Sequence, residues 1–172
     1  LQNGRNALLL LQSSSIIENC LLLFSSRSIN TACPTDTCFG IYRNNVIFTK
    51  NSSDNTIYHF LGGSSITTSN LVLSDGSSQF GVSFESQNRV VFSNNLVSAF
   101  QNTNISVSSH SDTVFLVNNN SMNVSGASAF QINQGDKTIL KNNIIQNANF
   151  GISGFIGPVR SDYNLFNNVN IK

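Results

Sequence analysis

The chain has 172 residues, of which 40% are hydrophobic and 10% charged, with 13 Phe and no Trp. That length supports a sizeable core, and residues 1–172 read as a single domain. A formal net charge of +1, with no basic run, excludes the electrostatic footprint needed to grip phosphate backbones, so no nucleic-acid partner is expected.

Soluble domains commonly carry about 25% charged residues, and here Asn and Ser, 27 of each, fill the deficit. In chain order, the first elements are the apolar runs Ala7–Leu11 and Cys20–Phe24. Both fall far short of the roughly 20 residues that cross a bilayer, so no membrane span is expected. The chain begins with Leu rather than Met, which points to a processed product or a segment of a larger protein. Cys33 and Cys38 bracket Pro-Thr-Asp-Thr, whose Pro and Asp favour a turn. A local disulfide there would leave Cys20 as a buried free thiol. With only two His, that spacing matches no zinc pattern, and neither a metal nor a cofactor is expected. Sequons at Asn51, Asn104, Asn119 and Asn123 would permit glycosylation in a eukaryotic secretory route, consistent with an extracellular or cell-surface address. Gly62-Gly63 reads as a turn, because the Lys-Ser/Thr of a phosphate-binding loop does not follow it.

The main signal is an internal repeat, which must be sought first because it dictates the whole architecture. Asn recurs at Asn19, Asn45, Asn70, Asn95, Asn120, Asn143 and Asn164, with gaps of 26, 25, 25, 25, 23 and 21 residues. Two residues after each stands an apolar residue: Leu21, Ile47, Val72, Val97, Met122, Ile145 and Phe166. Three residues before each stands Ile16, Tyr42, Thr67, Phe92, Val117, Leu140 or Ser161, apolar with two lapses. Adding 25 from Asn45 onward generates further columns, Ile57-Val82-Val107-Ile132 and Asn55-Phe80-Ile105-Phe130, expected to point inward from successive strands. A helical solenoid needs roughly 33–47 residues per repeat, and a leucine-rich repeat needs Leu where Thr37, Gly62, Gln87, Asp112 and Gly135 stand. The expected fold is therefore all-β, a β-solenoid of about seven turns in which like residues stack at about 4.8 Å. Asn suits its sharp corners, because it tolerates left-handed backbone and its amide can pair with the same amide one rung away.

The units Phe92-Ser93-Asn94-Asn95-Leu96-Val97, Leu140-Lys141-Asn142-Asn143-Ile144-Ile145 and Ser161-Asp162-Tyr163-Asn164-Leu165-Phe166 carry a family likeness. The chain resembles the right-handed parallel β-helix superfamily, the pectin-lyase-like group, over essentially its full length. The resemblance implies a right-handed parallel β-helix. It implies no single activity, because the group includes polysaccharide lyases and hydrolases, tailspikes, adhesins and surface proteins without chemistry. The Asn-Thr-Asp, Asp-Asp and Gly-His-Gly motifs of its hydrolases do not occur here, nor does the clustered Asp of its lyases, so no catalytic residue carries over. Asp36, Asp54, Asp75, Asp112, Asp136 and Asp162 are spread singly and read as turn residues.

One constellation could carry chemistry. Adding 25 places Glu85 and His110 in one column, and Asp112 and Lys137 in a column two residues on. A carboxylate beside a His with a second carboxylate nearby suits acid–base work on a glycosidic bond. The competing reading is a solvated ladder in which Asp112 and Lys137 form an exposed pair worth under about 1 kcal/mol. The sequence thus leads to a structural, filament or adhesion segment, with self-association or adjoining β-helix turns as partners. The alternative is a polysaccharide-active enzyme or carbohydrate-binding module with a glycan as ligand.

Overall fold

Apolar residues at alternate positions, bounded by Asn, Ser and Gly, favour short strands with one face turned to a core. The computed structural model describes residues 6–24, 27–33, 37–49, 58–76, 80–85, 88–98, 100–108, 114–124, 128–134, 137–154 and 159–170. Within them every regular element is a strand, and the strands sort into three sheets of seven. Sheet A holds Asn6–Leu11, Arg27–Ala32, Tyr58–Leu61, Phe80–Glu85, Thr103–Ser108, Ser128–Gln134 and Phe150–Ser153. Sheet B holds Ser15–Glu18, Phe39–Arg43, Ser64–Thr68, Arg89–Ser93, Val114–Asn118, Lys137–Lys141 and Val159–Asp162. Sheet C holds Leu21–Phe24, Val46–Thr49, Leu71–Ser74, Leu96–Ser98, Ser121–Asn123, Ile144–Gln146 and Leu165–Asn167.

The chain visits A, B and C in rotation, and each strand pairs in parallel with the strand one turn away, as in Arg89–Ser93 beside Val114–Asn118. This is an all-β parallel β-solenoid. The expected seven turns resolve into a body of about five, flanked on both sides, and one rung at each end with an open edge. Open edges present unpaired backbone groups, so the body is where every strand finds its hydrogen-bonding partners.

The core is a stack of like side chains. Tyr42, Phe92, Val117 and Leu140 line sheet B, and Ile47, Val72, Val97, Met122 and Ile145 line sheet C, all buried. Phe84 from sheet A meets Phe92 edge to face, ring centroids 5.9 Å apart. Fully burying such a side chain contributes about 1.5–3 kcal/mol, so cohesion grows with each added turn.

Sheet A departs from the 25-residue arithmetic. Val82 pairs with Ile105 rather than Val107, and Phe84 with Val107, whereas Ile105 does pair with Phe130 and Val107 with Ile132. The turn is two residues shorter on entering Thr103–Ser108, from Val97 to Ile105 against Val72 to Val82, and two longer on leaving it. The lengths cancel before the next Asn, so the marker spacing hides the slip. Because side chains alternate with period two, a two-residue slip leaves the same faces inward, and Val82, Ile105 and Val107 are all fully buried. Asn55 and Ile57 lie outside the described residues.

Two core positions, Thr67 and Thr138, carry a buried hydroxyl without a partner among the described residues. Thr67 is fully buried between Tyr42 and Phe92 in its column, and its Oγ1 has no hydrogen-bond partner among the described residues. A buried unsatisfied hydroxyl costs about 1–3 kcal/mol. Thr67→Val, which keeps the shape, is therefore expected to stabilise the protein by about 1 kcal/mol or more in urea denaturation, and a loss of stability would contradict the assignment.

Candidate functional site: the amide ladder and the outer faces

Two residues separate each sheet B strand from the following sheet C strand in all seven rungs, while the other corners vary in length. The first of the two takes left-handed backbone: Asn19, Asn44, Ser69, Asn94, Asn119, Asn142 and Tyr163 have φ between 54° and 57°. Asn adopts this conformation at lower cost than other non-glycine residues, which explains its frequency there. From the second rung on, the second residue is Asn45, Asn70, Asn95, Asn120, Asn143 or Asn164, and the first five are at most 2% exposed. The left-handed corner expected of the ladder Asn thus belongs to the residue before it.

Each interior amide is saturated. Asn70 Nδ2 donates to Asn95 Oδ1 at 3.0 Å and to the Tyr42 carbonyl at 3.0 Å. Asn70 Oδ1 accepts from the Asn45 backbone N–H and from Asn45 Nδ2, both at 3.0 Å. The pattern repeats through Asn95, Asn120 and Asn143 to Asn164. Backbone and amide carbonyls both bridge the rungs, since the Asn45 carbonyl accepts the Leu71 N–H at 2.9 Å.

The first rung corrects the sequence reading. Asn19 is exposed and left-handed, and Cys20 occupies the ladder position, its N–H donating to Asn45 Oδ1 at 3.0 Å. The gap of 26 was the sign of this, because Cys20 restores 25. A one-residue error exchanges the two faces: Ile16 and Leu21 are 64% and 67% exposed, while Ile17 pairs with Tyr42 in the core. Cys20 is partly buried rather than buried, and its thiol donates to the Glu18 carbonyl at 3.2 Å.

Cys33 and Cys38 form a disulfide with Cα atoms 6.0 Å apart. Gly62-Gly63 of the next turn lies against it, with φ of 72° and 69°. A Cβ on Gly62 would sit 1.8 Å from the Cys33 carbonyl oxygen, and one on Gly63 2.6 Å from that of Cys38. The backbone contact is close because Cys33 N–H donates to the Leu61 carbonyl at 2.7 Å and Ser64 N–H to the Cys38 carbonyl at 3.0 Å. The glycine pair is therefore a turn that seats the crosslinked loop.

The proposed catalytic columns do not form as the arithmetic expects. Glu85 is level with Ser108 because of the compensating slips in loop length, and Lys137 is level with Val114 because the turn from Asn120 to Asn143 spans 23 residues rather than 25. His110 and Asp112 lie outside the described residues. Glu85 Oε1 accepts a 3.3 Å hydrogen bond from Ser83 within its own strand, and Lys137 is exposed. Among the described residues no group of three or more His, Cys, Asp or Glu could hold a metal ion. Burial pushes the Tyr42 hydroxyl pKa up, opposed by hydrogen bonds with Ser15 and Thr31.

Asp75 is exposed beside a strand end and Asp162 ends a strand, where it pairs with Arg160 at 2.7 Å; the other four singly spread Asp lie outside the described residues. Asn119 and Asn123 are exposed, the side chain of Asn104 is not described, and Asn51 lies outside the described residues. A second amide ladder, not anticipated from sequence, runs on the exposed side from Asn123 to Asn147 to Asn168, each step 2.8 Å. Asn149 and Asn170 pair beside it at 3.0 Å. Spacings of 24 and 21 residues were its only trace.

The outward columns differ by sheet. The outer column of sheet A runs through Leu9, Asn30, Ser83, Ser106, Gln131 and Ser153 in register, with Ser83 itself buried. Sheet B shows Ile41, Ile66, Val91, Leu116 and Ile139, with Glu18, Arg43, Arg89, Lys137, Lys141 and Asp162 on the neighbouring columns. A cleft of about 140 Å³ opens between Phe39, Ile66, Arg89 and Val91. Glu18 and Arg43 form an exposed ion pair across one rung, of the kind worth at most about 1 kcal/mol. Sheet C shows an uncharged, mainly aliphatic face. No family model, curated protein or solved structure matches the chain.

Asn95→Ala would strip the acceptor from two donors on Asn70 and the donor from the Thr67 carbonyl. At about 1–3 kcal/mol per buried unsatisfied group, the expected loss is at least about 3 kcal/mol in urea denaturation, whereas the adjacent exposed Asn94→Gly is expected to change stability by under about 1 kcal/mol. Cys20→Asn is expected to raise the melting temperature by extending the ladder one rung; Asn19→Asp, which keeps a residue type that tolerates left-handed backbone, should not. Gly62→Ala is expected to lower the melting temperature more than reduction of the disulfide does, because backbone must move.

Proposed function

We propose that this chain is a non-catalytic structural or adhesive rod of an extracellular or cell-surface protein. The observation that carries the reading is the continuous saturated amide ladder beneath three parallel sheets. It ties every turn to the next by side chain as well as backbone, which suits an element that holds its shape and presents a surface. The Cys33–Cys38 disulfide supports an oxidising compartment. The neutral Asn/Ser-rich exterior and the exposed Asn119 and Asn123 sequons fit the same address.

The winding is right-handed, the sense that parallel strand crossovers of L-residues adopt almost without exception. That sense and the Asn corners support kinship with the pectin-lyase-like group. Leu8, Leu9 and Leu11, on an edge strand of sheet A, are 36%, 49% and 60% exposed. An adjoining β-helix turn or another copy covers this end, because an open apolar edge otherwise templates pairing.

The test is a panel of neutral and acidic polysaccharides incubated with the purified protein, together with antibody labelling of intact source cells. No new reducing ends or unsaturated products, and labelling without permeabilisation, are expected. Turnover of a glycan that is lost in Glu85→Ala would overturn the non-catalytic reading, and labelling only after permeabilisation would overturn the location.

A further inference from the structure

We infer that the notch over Ser64 on the outer face of sheet B binds a small aromatic carboxylate, one ring bearing an acid on a short arm. The inference goes beyond the rod reading, which stands whether or not the rod carries a ligand. Phe39, Ser64 and Arg89 stand level on three successive rungs, so Ser64 is the small middle member between a phenyl ring and a guanidinium. The cleft of about 140 Å³ opens there, with Phe39 and Arg89 on its two sides and Ile66 and Val91 beneath. A cavity of about 150 Å³ holds a benzene ring, so this cleft has the size of a single ring.

Rung spacing selects the ring. Adjacent rungs lie about 4.8 Å apart, so a flat group lodged over Ser64 sits one such step from the Phe39 ring and one from the Arg89 guanidinium. Aromatic pairs settle with centroids about 4.5–7 Å apart, and a cation is attracted to a ring face within about 6 Å. An aromatic ligand therefore completes the stack that Ser64 interrupts. A sugar does not match the lining. Phe39, Ile66 and Val91 are apolar and Ser65 is buried, so sugar hydroxyls seated there would lose water without gaining partners.

Charge selects the acid. Among the described residues the Arg89 guanidinium has no hydrogen bond or ion pair, whereas Arg43 and Arg160 on the same sheet hold Glu18 and Asp162. Lys137, two rungs beyond Arg89 in the same column, is a second exposed cation without such a partner. A planar guanidinium stacks on an aromatic face and keeps N–H donors on its edge for a carboxylate. An acid on a short arm reaches that edge from a ring held in the notch. Arg89 is exposed, so the ion pair alone contributes little, and the stacked ring is what holds it in place. The ligand is accordingly bound in the millimolar range.

Titration of the 172-residue chain with phenylacetate, followed by backbone amide chemical shifts, tests the inference. Saturation below about 20 mM is expected, with the largest shifts at Ser64, Ile66, Arg89 and Val91. Benzyl alcohol, which lacks the charge, cyclohexylacetate, which lacks the aromatic face, and glucuronate should each bind at least about tenfold more weakly. Arg89→Gln should weaken phenylacetate by a similar factor, and Ser64→Phe, which fills the notch with the chain's own ring, should abolish its binding. Lys141→Gln, on the other flank of sheet B, should leave it unchanged. Circular dichroism melting checks that each variant is folded, and if Ser64→Phe is not, Arg89→Gln decides. No saturable shift, shifts centred elsewhere, or unchanged affinity in Arg89→Gln or folded Ser64→Phe overturns the site. Equal binding of benzyl alcohol or glucuronate overturns the ligand class, and equal binding of cyclohexylacetate overturns the stacked ring.

Discussion

A primary amide has two donors and an acceptor that takes two bonds, and burying it is tolerable only when all are met. The corner between sheets B and C meets this demand by repetition. Each interior amide donates to the rungs on both sides and accepts from the earlier one, so no single turn could satisfy it alone. The constraint is geometric as well as energetic. An amide reaches its neighbour only if the two-residue corner keeps the same backbone in every turn, and the left-handed residue before it secures that shape.

Holding one corner constant frees the others. Separations between sheets A and B, and between C and A, change from turn to turn, yet sheets B and C remain in phase. The fold can therefore accept the disulfide loop at Cys33–Cys38 and the unequal connections around Thr103–Ser108 without disturbing the stack. The same division separates the roles of the surface. Strand faces repeat and give long columns of similar chemistry, mainly polar beyond the first rung of one sheet A column, aliphatic with charges of both signs alongside on B, and uncharged and mainly aliphatic on C. Corners give local variety.

Much of the stack was legible because its periodicities survive in one dimension. The spacing of Asn45, Asn70, Asn95 and Asn120 is the rung spacing written along the chain, and apolar residues two places on point into the core. Where reading failed, it failed on phase. Asn19 imitates a ladder residue one place early, and only the backbone assigns the ladder place to Cys20. The Glu85, His110, Asp112 and Lys137 patch was assembled by adding a constant period through corners of unequal length, and the strands pair Glu85 with Ser108 and Lys137 with Val114 instead. The exposed Asn123-Asn147-Asn168 ladder was hidden because its spacing follows the later, shorter turns.

The sequence by itself determined the class of fold, the axis along which like residues stack and the inward faces of most strands. These follow from alternation and repetition, which are local properties of a chain. Only the tertiary structure decided which corner holds the amides, which residues stand level across turns and which outward columns unite into a face. Those depend on the summed lengths of intervening corners, and compensating insertions leave the sum unchanged while moving the strands between them.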